Sequence, residues 1–252
     1  MKKLFCVSDV HSYFYELMAA LNKAGFDADN EEHIFVCCGD LLDRGGFPSK
    51  CLDFVNSLPD NRKILIRGNH EELAISAIRT GYFGTHDWHN GTAETIQWLS
   101  EYATDPYAAP EEDVIESFSK NPKWIKYYNS TVFYKEVGNY IFTHAWIPFG
   151  GTMDYPVYES NWKEKSFHDA IWVNGMEMWH RGVRVPGKTV VCGHWRTIWG
   201  NIELHNMDPR SSVNQLCATF KDEGIICLDS SVPSSHFINV EVIEIDDDLL
   251  YI

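Results

Sequence analysis

Six residues able to ligate hard cations stand at wide intervals along the chain: Asp9, His11, Asp40, Asn69, His144 and His194. The set is rich in oxygen and imidazole donors and contains no thiolate. Such donors suit Mn, Fe or Zn held in two adjacent sites, whereas a structural zinc site usually brings cysteines at short spacing. Each histidine taken singly is an ordinary surface or core residue, and the joint pattern is what carries the reading.

Residues so far apart can share a site only if regular elements deliver them to one place. Five apolar, β-like runs end abruptly in these residue types. Lys3 to Val7 runs into Ser8-Asp9-Val10-His11, His33 to Cys38 into Gly39-Asp40, and Lys63 to Arg67 into Gly68-Asn69-His70-Glu71. Asn139 to Thr143 runs into His144, and Lys188 to Cys192 into Gly193-His194. Helical patterns lie between the first three. Phe14, Leu17, Met18 and Leu21 recur at helical spacing and stop at Gly25; Pro48 opens a run carrying Leu52 and Val55; Leu73, Ala74, Ala77 and Ile78 follow the third strand. This βαβαβα start predicts an α/β architecture with ligand-binding loops at the strand ends.

Residues 80–130, with Trp88, Trp98 and Trp124, break the rhythm and read as a helical insertion too short for a large core of its own. The last third reads as strand-rich. Thr131 to Val137 and Asn139 to Thr143 form a hairpin about Gly138, and Phe237 to Ile245 alternates, with Ile238, Val240 and Val242 set against Glu241 and Glu244. The expectation is one domain spanning 1–252.

Composition narrows the function classes. Of 252 residues 44% are hydrophobic and 23% charged, ordinary for a folded chain, and no apolar run approaches the 18 or so residues of a membrane span. Lys and Arg number 21 against 36 Asp and Glu, a formal charge of −15, which disfavours a phosphate backbone; no nucleic-acid partner and no membrane are expected. Seven cysteines without a CxxC pair read as reduced core thiols, and Ser8, Asp9 and His11 interrupt the apolar start too early for a signal peptide, so the expected location is cytoplasmic.

Ser8-Asp9-Val10-His11, Gly39-Asp40-Leu41-Leu42-Asp43-Arg44-Gly45 and Gly68-Asn69-His70-Glu71, in this order, resemble the DxH, GDxxDRG and GNHE signatures of calcineurin-like metallophosphoesterases. The nearest likeness is to the phosphoprotein phosphatases and their small bacterial members. Thr143-His144-Ala145 and Gly193-His194 look like the two remaining family histidines. The resemblance implies two mixed β-sheets packed as a sandwich flanked by helices. It also implies two divalent ions, Mn foremost with Fe or Zn as other fits. Asp9 and His11 would hold the first ion, Asp40 would bridge, and Asn69, His144 and His194 would complete the second.

By the same resemblance a metal-bridging hydroxide attacks phosphorus, Arg44 and Asn69 bind the phosphate, and His70, oriented by Asp43, protonates the leaving oxygen. The sequence departs from the family at Ser12, where Gly is usual, and at Asn174, where a second phosphate-binding arginine is expected. Gly-His is followed by Trp195-Arg196 rather than Thr-Pro. Arg181, Arg184 or Arg196 could supply the missing charge. The implied activity is that of a Ser/Thr or dual-specificity protein phosphatase. The alternative is a hydrolase of dinucleoside polyphosphates or other small phosphoesters. A phosphoesterase-fold scaffold without catalysis would have lost ligands, and all six are present. His86 and His89 read as part of an exposed aromatic cap in the insertion.

Overall fold

The computed structural model describes residues 1–252 apart from 106, 247 and 249–252. Its strands are, in chain order, β1 (Lys2–Val7), β2 (His33–Cys37), β3 (Lys63–Ile66), β4 (Thr131–Val132), β5 (Tyr134–Val137), β6 (Tyr140–Thr143), β7 (Gly150–Gly151), β8 (Pro156–Val157), β9 (Thr189–Cys192), β10 (Phe220–Asp222), β11 (Ile225–Cys227) and β12 (Glu241–Ile245). Helices α1 (Phe14–Ala24), α2 (Pro48–Ser57) and α3 (Asn69–Thr80) alternate with the first strands, and α4 (Thr85–Asn90), α5 (Thr92–Leu99), α6 (Glu111–Ser119) and α7 (Pro122–Asn129) occupy the expected insertion. Four short helices follow: α8 (Gly175–His180), α9 (Thr197–Glu203), α10 (Val213–Leu216) and α11 (Val232–Ser235).

Two mixed five-stranded sheets result, one ordered β12-β1-β2-β3-β4 and the other β10-β11-β9-β6-β5. Alternation along the strands explains why they stack. Leu4 and Cys6 of β1 and Ile34 and Val36 of β2 pack with Phe142, Val191 and Ile226 of the second sheet, while Phe5, Val7, Phe35 and Cys37 turn outward to α1 and α2. Both faces of these strands are therefore dry, which is why they read as continuous apolar runs rather than as an alternation. The second sheet is covered on its outer face by Trp146, Trp162, Met176 and Trp179, among others. Ile96, Leu99, Val114, Phe118 and Trp124 of the insertion join the same cluster as the helices over the first sheet. All seven cysteines are buried and free. Among the described residues no helix is long and apolar enough to cross a membrane.

Parallel pairing does the positioning. β1, β2 and β3 run parallel to one another, as do β6, β9 and β11. Their carboxyl ends consequently lie at the same edge of each sheet, and the loops carrying the six candidate ligands converge there.

Two expectations need correction. The run Thr131 to Val137 is not one strand: β4 pairs with β3 in the first sheet and β5 with β6 in the second, so the chain crosses between sheets at Phe133. The alternation from Phe237 does not carry into β12 either. Only Glu241–Ile245 joins the ladder, where Ile243 and Ile245 are buried and Val242 is exposed. Residues 237–240 lie outside the pleat, so their parity does not set its register.

Candidate active site

Seven residues of these loops hold backbone conformations that L side chains rarely adopt. Asp9, His11, Ser12, Asp40, Asp43, Arg44 and His194 all have φ between 50° and 75°. Such strain concentrates where side chains must be aimed rather than packed. Close approach does the rest: a Cβ at Gly193 would land on Ser8 Oγ and Asp9 Oδ2, so only glycine lets the last loop lie against the first.

Asp40, buried at the centre, addresses a different group of donors with each oxygen. Its Oδ2 lies 3.9 Å from His11 Nε2 and 3.8 Å from His70 Nε2, and its Oδ1 3.4 Å from His144 Nε2. Two clusters that share Asp40 follow, His11-Asp40-His70 and Asp40-His144-His194. Asp9 joins the first through Oδ1, 4.0 Å from His11 Nε2, while its Oδ2 accepts from Ser8 Oγ at 2.5 Å and from the His194 amide at 2.8 Å. Asn69 joins the second, with Oδ1 2.8 Å from His144 Nε2.

The hydrogen bonds behind the imidazoles decide what faces inward. His11 Nδ1 donates to the Leu42 carbonyl and His144 Nδ1 to the Cys38 carbonyl, which leaves both Nε2 atoms as acceptors. His194 is hydrogen-bonded to the backbone of Trp172 and brings Nδ1 to 3.2 Å from His144 Nε2. Burial pushes His194 down to about 4, and burial, with the neighbouring His194 imidazole adding to it, holds His144 well below the ordinary histidine value, so both rings are neutral at pH 7. Lone pairs of Asn69 Oδ1, His144 Nε2, His194 Nδ1 and Asp40 Oδ1 therefore converge. That arrangement is repulsive unless a cation lies among them, and on this ground the residues fit the implied metals.

Burial raises Asp40, with Asp9 adding to it, and burial with Asp229 raises Asp9. A bound cation reverses that effect by stabilising the carboxylate charge.

His70 Nδ1 lies 2.7 Å from Asp43 Oδ2, which also accepts from Thr92 Oγ1 at 2.6 Å. Arg44 reaches the same place: its terminal nitrogens donate to His11 Nε2 at 3.0 Å and His70 Nε2 at 3.1 Å. The structure does not bring Arg181 to this group. Its guanidinium binds Glu177 Oε1 and the Asp154 carbonyl, an i,i+4 pair that holds it on α8. Arg184 lies over the Trp179 ring and binds that residue's carbonyl. Asn174 caps α8, accepting from the Glu177 amide, and so does a helix-terminal job where the family places a cation. Arg196 is exposed, but its charge is felt by Asp229. His86 is exposed and pairs with Asp87 on α4.

Several contributors were not singled out from sequence. Glu71 accepts from the amides of Asp40, Leu41 and Gly68 and from Tyr127 Oη, tying the second and third loops to the insertion. Its position, three residues after Gly68 at a helix start, was a readable signal. Asp229 follows β11 as Asp40 follows β2, and burial pushes it up to about 6. Thr92 carried no signal, because nothing local relates it to Asp43.

The sequence profile described as "Calcineurin-like phosphoesterase" matches residues 2–226. The chain belongs to that family. It is accordingly a metal-dependent phosphoric ester hydrolase. Serine/threonine-protein phosphatase 1 of Salmonella typhimurium is 27% identical over 175 residues, 68% of this chain and 68% of that protein. The symmetrical bis(5'-nucleosyl)-tetraphosphatase of Buchnera aphidicola is 39% identical over 72 residues, which cover 29% of this chain and only 25% of that protein. A Saccharomyces cerevisiae protein serine/threonine phosphatase with similarity to human PP5 shares the fold, with a TM-score of 0.55 at 13% identity over 98% of this chain and 82% of that one. The two mixed sheets flanked by helices are those of this family.

Proposed function

We propose that the chain hydrolyses phosphate monoesters at a two-metal centre bridged by Asp40, with phosphoserine, phosphothreonine or dual-specificity phosphoprotein substrates as the first reading. The observation that carries this is the division of the Asp40 oxygens between two donor clusters. Asp9, His11 and Asp40 would hold one ion, and Asp40, Asn69, His144 and His194 the other, with Mn as the first choice. When bound, the ions supply a water deprotonated near neutral pH and positive charge for the phosphoryl oxygens.

The chain's own groups do the remaining work. Arg44 turns its two terminal nitrogens from the imidazoles to phosphate oxygens, where a fork-shaped cation binds bidentately. Asn69 adds an amide beside them. His70, its Nδ1 held on Asp43 and its Nε2 freed when Arg44 turns to phosphate, takes a proton from solvent at Nε2 and delivers it to the leaving oxygen. Arg196, near Asp229, is the remaining candidate for a second phosphate cation.

The phosphoprotein reading is supported by a relative that shares 68% of its length with this chain. A second reading, hydrolysis of dinucleoside polyphosphates, draws support from the shorter but more identical Buchnera match. The test compares a phosphoserine peptide, a dinucleoside tetraphosphate and a simple alkyl phosphate with Mn, before and after chelation. Turnover should require the metal, and Arg44→Ala should lower kcat/KM about tenfold to a hundredfold on every substrate hydrolysed. Full turnover after chelation would contradict the proposal.

A further inference from the structure

We infer that Trp172 and Trp195 form a stacking subsite for the base of a nucleoside polyphosphate, on the outer side of His194. Two loops contribute. Trp172 ends a 3-10 turn at Ala170–Trp172, and Trp195 directly follows His194. Their rings stand 6.1 Å and 6.2 Å from the His194 ring, at 87° and 56° to it. Trp172 and Trp195 are 44% and 41% exposed; Trp88 and Trp98 are as exposed, at 40% and 46%, and what sets the first pair apart is the His194 ring beside it. Large apolar rings left in water beside a site residue are surface that a ligand can cover. Trp172 meets His194 nearly perpendicular and keeps 44% of its surface exposed, and base stacking on exposed aromatic rings is strong and tolerant of base identity.

Reach selects a base over the ring of phosphotyrosine. His194 turns Nδ1 inward to His144, and the two indoles stand against its imidazole ring at 6.1 Å and 6.2 Å. An aryl ring bonded directly to the ester oxygen stays over the clusters. A base separated from the scissile phosphorus by ribose and further phosphates extends past them. Arg196, next along the same loop and exposed, provides a cation for those phosphates in a chain whose formal charge is −15.

The kinetic arm of the test rests on the hydrolase reading above; the binding arm does not. ADP and inorganic tripolyphosphate are titrated into the Mn-loaded protein and into Trp172→Ala, Trp195→Ala and Trp195→Phe, following calorimetry and tryptophan fluorescence. Each alanine variant should weaken ADP about tenfold more than tripolyphosphate, with partial recovery in the phenylalanine variant. In parallel, the ratio of kcat/KM for a dinucleoside tetraphosphate to that for a phosphoserine peptide should fall about tenfold. Equal weakening of ADP and tripolyphosphate, or none, overturns the subsite. So does a loss confined to a phosphotyrosine peptide, which would assign the indoles to an aryl ester. Indole-dependent ADP binding without hydrolysis of any substrate would sustain the subsite and refute the hydrolase reading.

Discussion

Ser12 occupies a left-handed conformation, φ 61°, in the first site loop, and its buried hydroxyl has no hydrogen-bond partner. Left-handed backbone costs an L-residue about 1 to 2 kcal/mol, and a buried unpaired hydroxyl costs about 1 to 3 kcal/mol more. Glycine removes both, against an unfolded-state entropy cost of about 0.5 to 1 kcal/mol. Ser12→Gly should therefore raise stability by about 1 kcal/mol or more in urea unfolding, and a destabilised variant would show that the serine does unseen work. The position itself was legible as a departure from the motif it interrupts. What surrounds its hydroxyl was not, because the backbone of Ser12 is bonded to that of Leu41 and Phe47, far along the chain. Asp9, His11, Asp40, Asn69, His144 and His194 were readable because each follows an apolar run. Arg181 misled because sequence shows an arginine near the expected place but not that Glu177, one helical turn earlier, holds it.

At the scale of elements, the start of α5 reaches into the site. Gly91, at φ 84°, lies so close to Arg44 that a Cβ would strike its backbone nitrogen, and the next residue, Thr92, donates to Asp43 Oδ2. The insertion thus helps fix the carboxylate that orients His70. Thr92→Val keeps the shape and removes the donor. Turnover on alkyl phosphates should fall about tenfold, and much less on nitrophenyl phosphate, whose leaving group needs little protonation; metal content should not change. Equal losses on both esters would mean that Thr92 supports the fold rather than the proton donor. The insertion's helical character was visible in the sequence, but this contact joins residues 49 positions apart and left no local trace. Strands were legible wherever both faces are dry. The crossing at Phe133 was not, since β4 and β5 form one uninterrupted run whose two halves pair in different sheets.

Across the whole molecule, two stacks of parallel strands bring donors from residues 9 to 194 to one edge, and Asp40 alone serves both clusters. The centre is buried, so in the metal-free chain it is electrostatically strained: carboxylates are pushed up and imidazoles down. A bound cation would relieve this by displacing protons from the carboxylates of Asp9 and Asp40. Carboxylates held above their ordinary range keep protons to higher pH and a bound cation displaces them, so binding releases protons and the release shrinks as pH rises. A Mn titration in weakly buffered solution near pH 6, on the wild type and on Asp40→Asn, reads stoichiometry and protons together. The wild type should take two ions per chain with net proton release, and Asp40→Asn should lose both ions; an Asp40→Asn protein that still binds two ions would contradict the bridged centre.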